Sequence, residues 1–268
     1  MYHNNSGLRP GWASYLSHYT HFPVIIALDM SLAAAAPVAG YDQYLTVTVP
    51  VLSPGHSGFA NGEELQLFWE MERALVNSLE REAQVIYAGR TSSQGKKHLI
   101  FFLYKADPIE ALIEGIQVLY PAYSIDYRME PDPEWDIYFD LLFPNLEETN
   151  SLLNQRMLKR LIRNGIDLQQ EQTVHHWIYC KTEEGRQALR QIAEAQGFEA
   201  QLLPTRIGEH HFVYLLRLCK RHKVDQSTID SVSATLRTWA RAHHGDYDGW
   251  EVSVEKCQAL DPELKDLE

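Results

Sequence analysis

The stretch AQVIYAGRTSSQGKKHLIFFLYK, residues 83–105, predicts a β-hairpin around which the first half of the fold is built. Two apolar runs flank the polar segment Ser92–Gly95, and a short Gly-containing segment between two strand-like runs is typical of a hairpin turn. Before the hairpin, apolar residues of 61–79 recur at helical spacing, and a second helix is predicted from Pro108.

Strand-like segments lie outside these two helices. Apolar residues alternate with other residues over 45–51 and again over 123–127, which is the period-two pattern of a half-buried strand. Residues 45–128 therefore predict the order β-α-β-β-α-β. Two further strands, at 23–31 and 135–143, are expected to frame it, the second because Trp135, Ile137, Phe139 and Leu141 alternate with other residues.

The second half of the chain predicts the same order after one additional helix. That helix runs from Thr149 to Asn164, and the last helix is expected to end at Gly245 before the strand GWEVSV. We therefore expect two ferredoxin-like α+β sandwich domains, residues 1–146 with the extra strands and residues 147–268, each an antiparallel sheet with helices on one face.

Composition and charge restrict the function classes. The 268 residues are 45% hydrophobic and have a formal net charge of −12, so a concentrated basic surface for direct nucleic-acid binding is not expected. No run of about 18 apolar residues exists for a membrane span, and no secretory signal is visible. Three widely spaced Cys, an odd number, fit a reduced cytoplasmic protein.

The segment HHGDYDGWEVSVE, residues 243–255, nearly matches the ligand register of a calcium-binding EF-hand loop. Its first ligand position is His244 instead of Asp, and the residues after Gly249 alternate as in a strand, whereas an EF-hand requires a helix there. We interpret Asp246–Gly249 as a turn that leads into a strand anchored in the core by Trp250. The sequence therefore favours a structural role over a calcium site.

Candidate catalytic and metal-binding residues are not supported by their spacing. Three His pairs occur, at 175–176, 210–211 and 243–244, but neighbouring strand residues point to opposite faces and each pair offers one ligand to a common centre. Cys180 and Cys219 lie within apolar runs, and the chain has no nucleophile elbow and no phosphate-binding loop. We expect no catalytic residues, cofactor or metal.

Two resemblances add to this interpretation. The stretch LLNQRMLKRLIRNGIDLQQEQTVHHWIYCKTEEGRQALRQIAEAQGFEA and the ending HGDYDGWE resemble the family of regulator of ribonuclease E activity B, over about residues 150–254. The first half, especially PVIIALDM and WDIYFDLLFPN, is similar to a domain family of unknown function that occurs alone or fused to this regulator domain.

The first resemblance implies a non-catalytic cytosolic protein that binds an RNase E-type endoribonuclease and changes which RNAs are cut. An acidic surface suits a basic, flexible partner segment, and the candidate partner-binding residues are His176, Asp246, Tyr247, Asp248 and Glu251. The alternatives are an enzyme or a small-ligand- or metal-binding protein that uses a cleft between the domains and, less compatible with the charge, direct RNA binding.

Overall fold

A computed structural model of the chain describes residues 11–17, 22–55, 58–106, 108–203 and 214–253. The chain divides into an N-terminal unit, Met1–Leu152, and a C-terminal unit, Leu153–Glu268. The division falls within helix α3 (Leu146–Arg163), whereas the sequence places the boundary after residue 146. Both units contain helices and an antiparallel sheet, so the predicted α+β class is confirmed.

The N-terminal unit contains a six-stranded antiparallel sheet with the strand order β1-β2-β4-β5-β3-β6. Its strands are β1 (Trp12–Ser17), β2 (Val24–Asp29), β3 (Gln43–Pro50), β4 (Val85–Ser93), β5 (Lys96–Leu103) and β6 (Asp126–Pro131). Its helices are α1 (Gly62–Glu82) and α2 (Ile109–Leu119), with a 3₁₀ helix at Met30–Ala34 and a π-helix at Ile137–Leu142. The order from β3 to β6 is the predicted β-α-β-β-α-β.

The hairpin prediction is confirmed by the pairing of β4 with β5. Ser93 pairs with Lys96, and the two residues between them, Gln94 and Gly95, have φ values of 50° and 73°. A two-residue turn with positive φ at both central residues matches the twist of the two antiparallel strands that it connects.

Both faces of the N-terminal sheet are covered by apolar clusters. Along β5, Leu99, Phe101 and Leu103 belong to the cluster under α1 and α2. The alternate residues Ile100 and Phe102 belong to a second cluster on the opposite face. Burial on both sides explains the continuous apolar run of β5. The predicted arrangement, with helices on one face of the sheet only, is therefore incomplete for this unit.

The predicted strand at 135–143 is wrong. The segment forms the π-helix, and its buried side chains are Trp135, Tyr138 and Leu142, separated by three and four residues as on a helix. Aromatic and apolar residues fill nearly every position of WDIYFDLL, so both periods fit the sequence. Strand β1, which pairs with β2, was not predicted.

The C-terminal unit contains a four-stranded antiparallel sheet with the order β10-β7-β9-β8. Its strands are β7 (Glu171–Cys180), β8 (Glu199–Leu202), β9 (Tyr214–Lys223) and β10 (Gly245–Ser253), and its helices are α4 (Glu183–Ala195) and α5 (Gln226–Ala242). The element and strand orders agree with a ferredoxin-like topology, which itself stays a prediction.

Candidate functional site

Strand β10 begins after a two-residue turn, His243 and His244, that follows helix α5, and not after the predicted turn at Asp246–Gly249. The residue with left-handed backbone at this junction is His244, with φ of 55°, and not Gly245. Gly245 opens the strand opposite Cys180, and a Cβ atom built on it would lie 3.0 Å from the carbonyl oxygen of Tyr179. Glycine is therefore favoured at 245 by the close approach of β7.

A β-bulge in β10 decides which side chains face outward. The pairing with β7 shifts between Tyr247 and Gly249, which leaves Asp248 as the extra residue, and Gly249 has φ of 142°. A bulge inserts one residue and re-aims the side chains that follow it. As a result Tyr247 and Trp250 are both buried, although they are three residues apart in a strand.

Trp250 joins β10 to two helices through a buried polar contact. Its indole Nε1 donates a hydrogen bond of 2.8 Å to Oδ1 of Asn154 in α3. The Asn154 side-chain amide donates in turn to Oδ1 of Asp230 in α5, at 2.7 Å. The predicted anchoring role of Trp250 is confirmed, and Asn154 is a contact that the sequence pattern did not indicate.

Tyr247 contacts the first of two neighbouring imidazoles, His176 and His222. Its hydroxyl lies 2.9 Å from Nδ1 of His176, and Nε2 of His176 lies 3.3 Å from Nε2 of His222. Burial, with the neighbouring His222 and His175, lowers the pKa of His176 to about 3. Burial likewise lowers the pKa of His222 and raises the pKa of Tyr247 to about 12.

The five candidate partner-binding residues therefore fall into two groups. His176 and Tyr247 are buried and contact each other, so their interactions in this structure are internal to the C-terminal unit. Asp246, Asp248 and Glu251 are exposed along β10, which forms one edge of the sheet. Three acidic side chains thus lie within six residues of an edge strand.

The other candidate residues that the structure describes, the His pairs and the cysteines, are less closely grouped than the three acids of β10. Within the ranges given above, no group of three or more His, Cys, Asp and Glu side chains is arranged to hold a metal ion. The pair at 210–211 lies outside these residues. Burial raises the pKa of the free Cys180 thiol to about 11, and Cys219 is disulfide-bonded, contrary to the reduced state expected for the cysteines.

The N-terminal unit contains a buried ionic cluster that the sequence did not indicate. The Glu72 carboxylate on α1 accepts a hydrogen bond of 2.6 Å from Arg90 and lies 2.7 Å from Nζ of Lys97. The Tyr87 hydroxyl donates to the same carboxylate at 3.0 Å. Burial lowers the pKa of Lys97 and raises that of Tyr87 well above its ordinary value. One carboxylate thus compensates two cations.

Fold and surface together define a protein of two α+β units, the second with an acidic edge strand. The chain belongs to the family of unknown function DUF695, whose model matches residues 10–143. Residues 153–252 match the family model described as regulator of ribonuclease activity B, so both resemblances seen in the sequence are confirmed. A comparison with curated proteins finds no match.

The C-terminal match identifies a domain of a regulatory family that acts on ribonuclease activity. It includes β7 to β10 up to Val252, and therefore the whole acidic part of the edge strand. Among the helices of the described residues, none has the length and apolar character needed to cross a membrane.

Proposed function

We propose that the chain is a non-catalytic regulator that binds an RNase E-type endoribonuclease and modulates its cleavage of RNA. The observation that carries the proposal is the exposure of Asp246, Asp248 and Glu251 on an edge strand inside the region that matches the regulator family. An acidic row of this kind suits a basic, flexible segment of a partner, because complementary charge accelerates association and selects the partner.

The rigid setting of the acidic row supports a binding role. The Trp250–Asn154 hydrogen bond and the burial of Tyr247 hold the strand on both sides of the bulge. A surface fixed in this way loses less conformational entropy on binding than a mobile loop does. The backbone edge of β10 also offers an incoming extended segment a strand to pair with.

The test measures binding of the purified full chain to the RNase E-type enzyme of its own organism, and RNA cleavage by that enzyme with and without the chain. The triple variant Asp246→Asn, Asp248→Asn, Glu251→Gln is compared with the control Glu184→Gln, Glu194→Gln, Glu199→Gln, which removes the same charge from exposed acids of the same unit. We expect the first variant to weaken binding and reduce the effect on cleavage, and the control to behave like the unmodified chain.

Salt dependence adds a second criterion. Binding through exposed charges weakens as salt rises, since screening acts over about 8–10 Å at ordinary ionic strength. The triple variant is expected to have a shallower salt dependence than the control. Absence of binding by the unmodified chain, or equal loss in both variants, would contradict the proposal.

A further inference from the structure

The face of the C-terminal sheet that points away from its helices carries two aromatic side chains beside β10. On β7, Ile178 and Cys180 belong to the apolar cluster that also contains residues of α4 and α5. Since neighbouring strand residues point to opposite faces, Trp177 and Tyr179 lie on the other face, where both are half-buried. Two partly accessible aromatic rings thus lie on the strand that pairs with the acidic edge strand.

The register of β10 places an acid beside one ring and a glycine beside the other. Asp246 pairs directly with Tyr179, and residues that pair in this way have their side chains on the same face. Gly249 pairs with Trp177, and a Cβ atom built on Gly249 would meet no atom of the described residues within 4 Å. The β10 side of the Trp177 ring is therefore not covered by the residue paired with it.

The charges around the two rings favour a cation on the β10 side, where the three exposed acids of that strand lie. On the β9 side, the Arg217 guanidinium lies over the Trp177 ring, 5.6 Å from its centroid, and donates to Oε1 of Gln201 at 2.8 Å. Arg217 opposes a second cation at Trp177. Tyr179 pairs with Leu215 on that side, so it is the ring at which a further cation is better placed.

Distance selects the side chain that brings this cation. The backbone of an extended segment added at the edge of β10 would lie about 10 Å from that of β7, which is twice the strand spacing. Contact with Tyr179 from there, across β10, requires a long side chain, and arginine and lysine are the long cationic ones. Arginine fits better, because its planar guanidinium stacks on aromatic rings and donates two hydrogen bonds to one carboxylate.

We propose that Tyr179 and Asp246 bind an arginine of an extended partner segment that pairs with the edge of β10. The guanidinium stacks on the Tyr179 ring and donates to the Asp246 carboxylate. The neighbouring outward position of the segment lies over Gly249, so its side chain packs against Trp177. This site specifies the chemistry of the basic segment in the proposed function, on which it rests.

The first experiment measures binding of the full chain to two labelled synthetic peptides, four repeats of Thr-Arg and four repeats of Thr-Lys. Fluorescence anisotropy is expected to show about fivefold tighter binding of the arginine peptide. Tyr179→Leu is expected to abolish this preference, whereas Tyr179→Phe, which retains the ring, is expected to keep it. Asp246→Asn is expected to weaken the binding of both peptides. The control is Tyr214→Leu, at a half-buried position of β9 that packs against the helix-side cluster, and it is expected to keep the preference. Circular dichroism establishes that each variant is folded.

Binding to the RNase E-type enzyme separates this proposal from the proposed function. Tyr179→Leu is expected to weaken binding of the enzyme about fivefold, and Tyr214→Leu is expected to bind like the unmodified chain. Equal binding of the two peptides by the unmodified chain, or equal binding of the enzyme by it and Tyr179→Leu, would overturn the arginine site and leave the proposed function standing. An arginine preference that depends on Tyr179, in a chain that does not bind the enzyme, would support the arginine site and contradict the proposed function.

Discussion

The two units of this chain bury their sheets differently, although both contain the order β-α-β-β-α-β. In the N-terminal unit each face of the sheet is covered by its own apolar cluster, and β5 is buried on both sides. In the C-terminal unit the two apolar clusters take their β10 residues, Tyr247 and Trp250, from the same side of the strand. Its outward residues on β10 are acidic.

Because of this difference, the two units tolerate charged side chains at different positions. In a strand that is buried on both sides, a charged side chain is destabilising unless it has a buried partner of opposite charge. A strand that is buried on one side can carry a row of charges without disturbing the core. The acidic edge of β10 is such a row, and the polar contacts of Asn154 and His176 hold the strand that carries it.

The largest decrease in stability is expected when a buried tryptophan is removed from either unit. Trp135 is fully buried, stacks on Phe102 at a centroid distance of 3.7 Å, and donates a hydrogen bond to Tyr41. Trp135→Ala and Trp250→Ala are each expected to lower the free energy of unfolding by about 3–5 kcal/mol, because each leaves a large cavity.

Urea unfolding measures these losses, and amide hydrogen exchange assigns each to its unit. Trp69→Ala serves as the control, since Trp69 is exposed on α1, and its effect is expected to be small. A small loss in Trp250→Ala would contradict the anchoring role of that side chain.

The ionic cluster of the N-terminal unit is expected to give the next effect. Glu72→Gln leaves Arg90 and Lys97 buried without their carboxylate, which is expected to cost about 3 kcal/mol. Glu70→Gln, at an exposed position of the same helix, is the control and is expected to change stability little. Equal unfolding midpoints in urea for the two variants would show that the cluster does not stabilise this unit.

The hydrogen bond from Trp250 to Asn154 is expected to contribute less to the free energy of unfolding than the ionic cluster does. Trp250→Phe retains an aromatic ring but removes the donor to Asn154, so the expected loss is about 1–3 kcal/mol. Trp177→Phe, at a half-buried position of β7, is the matched control. If both substitutions lower the free energy of unfolding equally, the hydrogen bond contributes nothing specific.

The effect placed last, because it is absent at neutral pH, is a loss of stability at alkaline pH in the N-terminal unit. The hydrogen bond to Glu130 raises the pKa of Tyr44, and burial raises that of Tyr138, both to about 12. A raised pKa keeps the folded state protonated, so the stability it confers is present below pH 10 and is lost as pH rises towards 12. Above pH 10.5, the lowered pKa of Lys97 causes no further change in the free energy of unfolding.

Absorbance of ionised tyrosine measures this effect. Spectrophotometric titration of the folded chain is expected to show part of the tyrosine signal delayed beyond pH 11, and titration in urea is expected to show all of it near pH 10. Identical titration curves in the two conditions would contradict the raised pKa values.

Much of the fold follows from local sequence patterns, and the exceptions have physical causes. The hairpin at 85–103 is encoded by a turn segment between two apolar runs, so it was predictable. The π-helix at 137–142 was not, because aromatic residues at nearly every position fit both periods. Strand β1 owes its place to pairing with β2, which no pattern within it specifies.

The candidate site was predictable only in part. The acids of β10 were recognisable, but the bulge that separates Tyr247 from Trp250 depends on pairing with β7. Asn154 and His222 reach the site from distant elements, and a single sequence contains no signal for such contacts.

Binding of the enzyme at β10 is tested most directly by hydrogen–deuterium exchange of the full chain with and without the RNase E-type enzyme. We expect slower exchange in β10, residues 245–253, on addition of the enzyme, with unchanged exchange in β8 at 199–202 on the opposite edge. Unchanged exchange in β10 when the enzyme is bound, or slowing confined to the N-terminal unit, would contradict it.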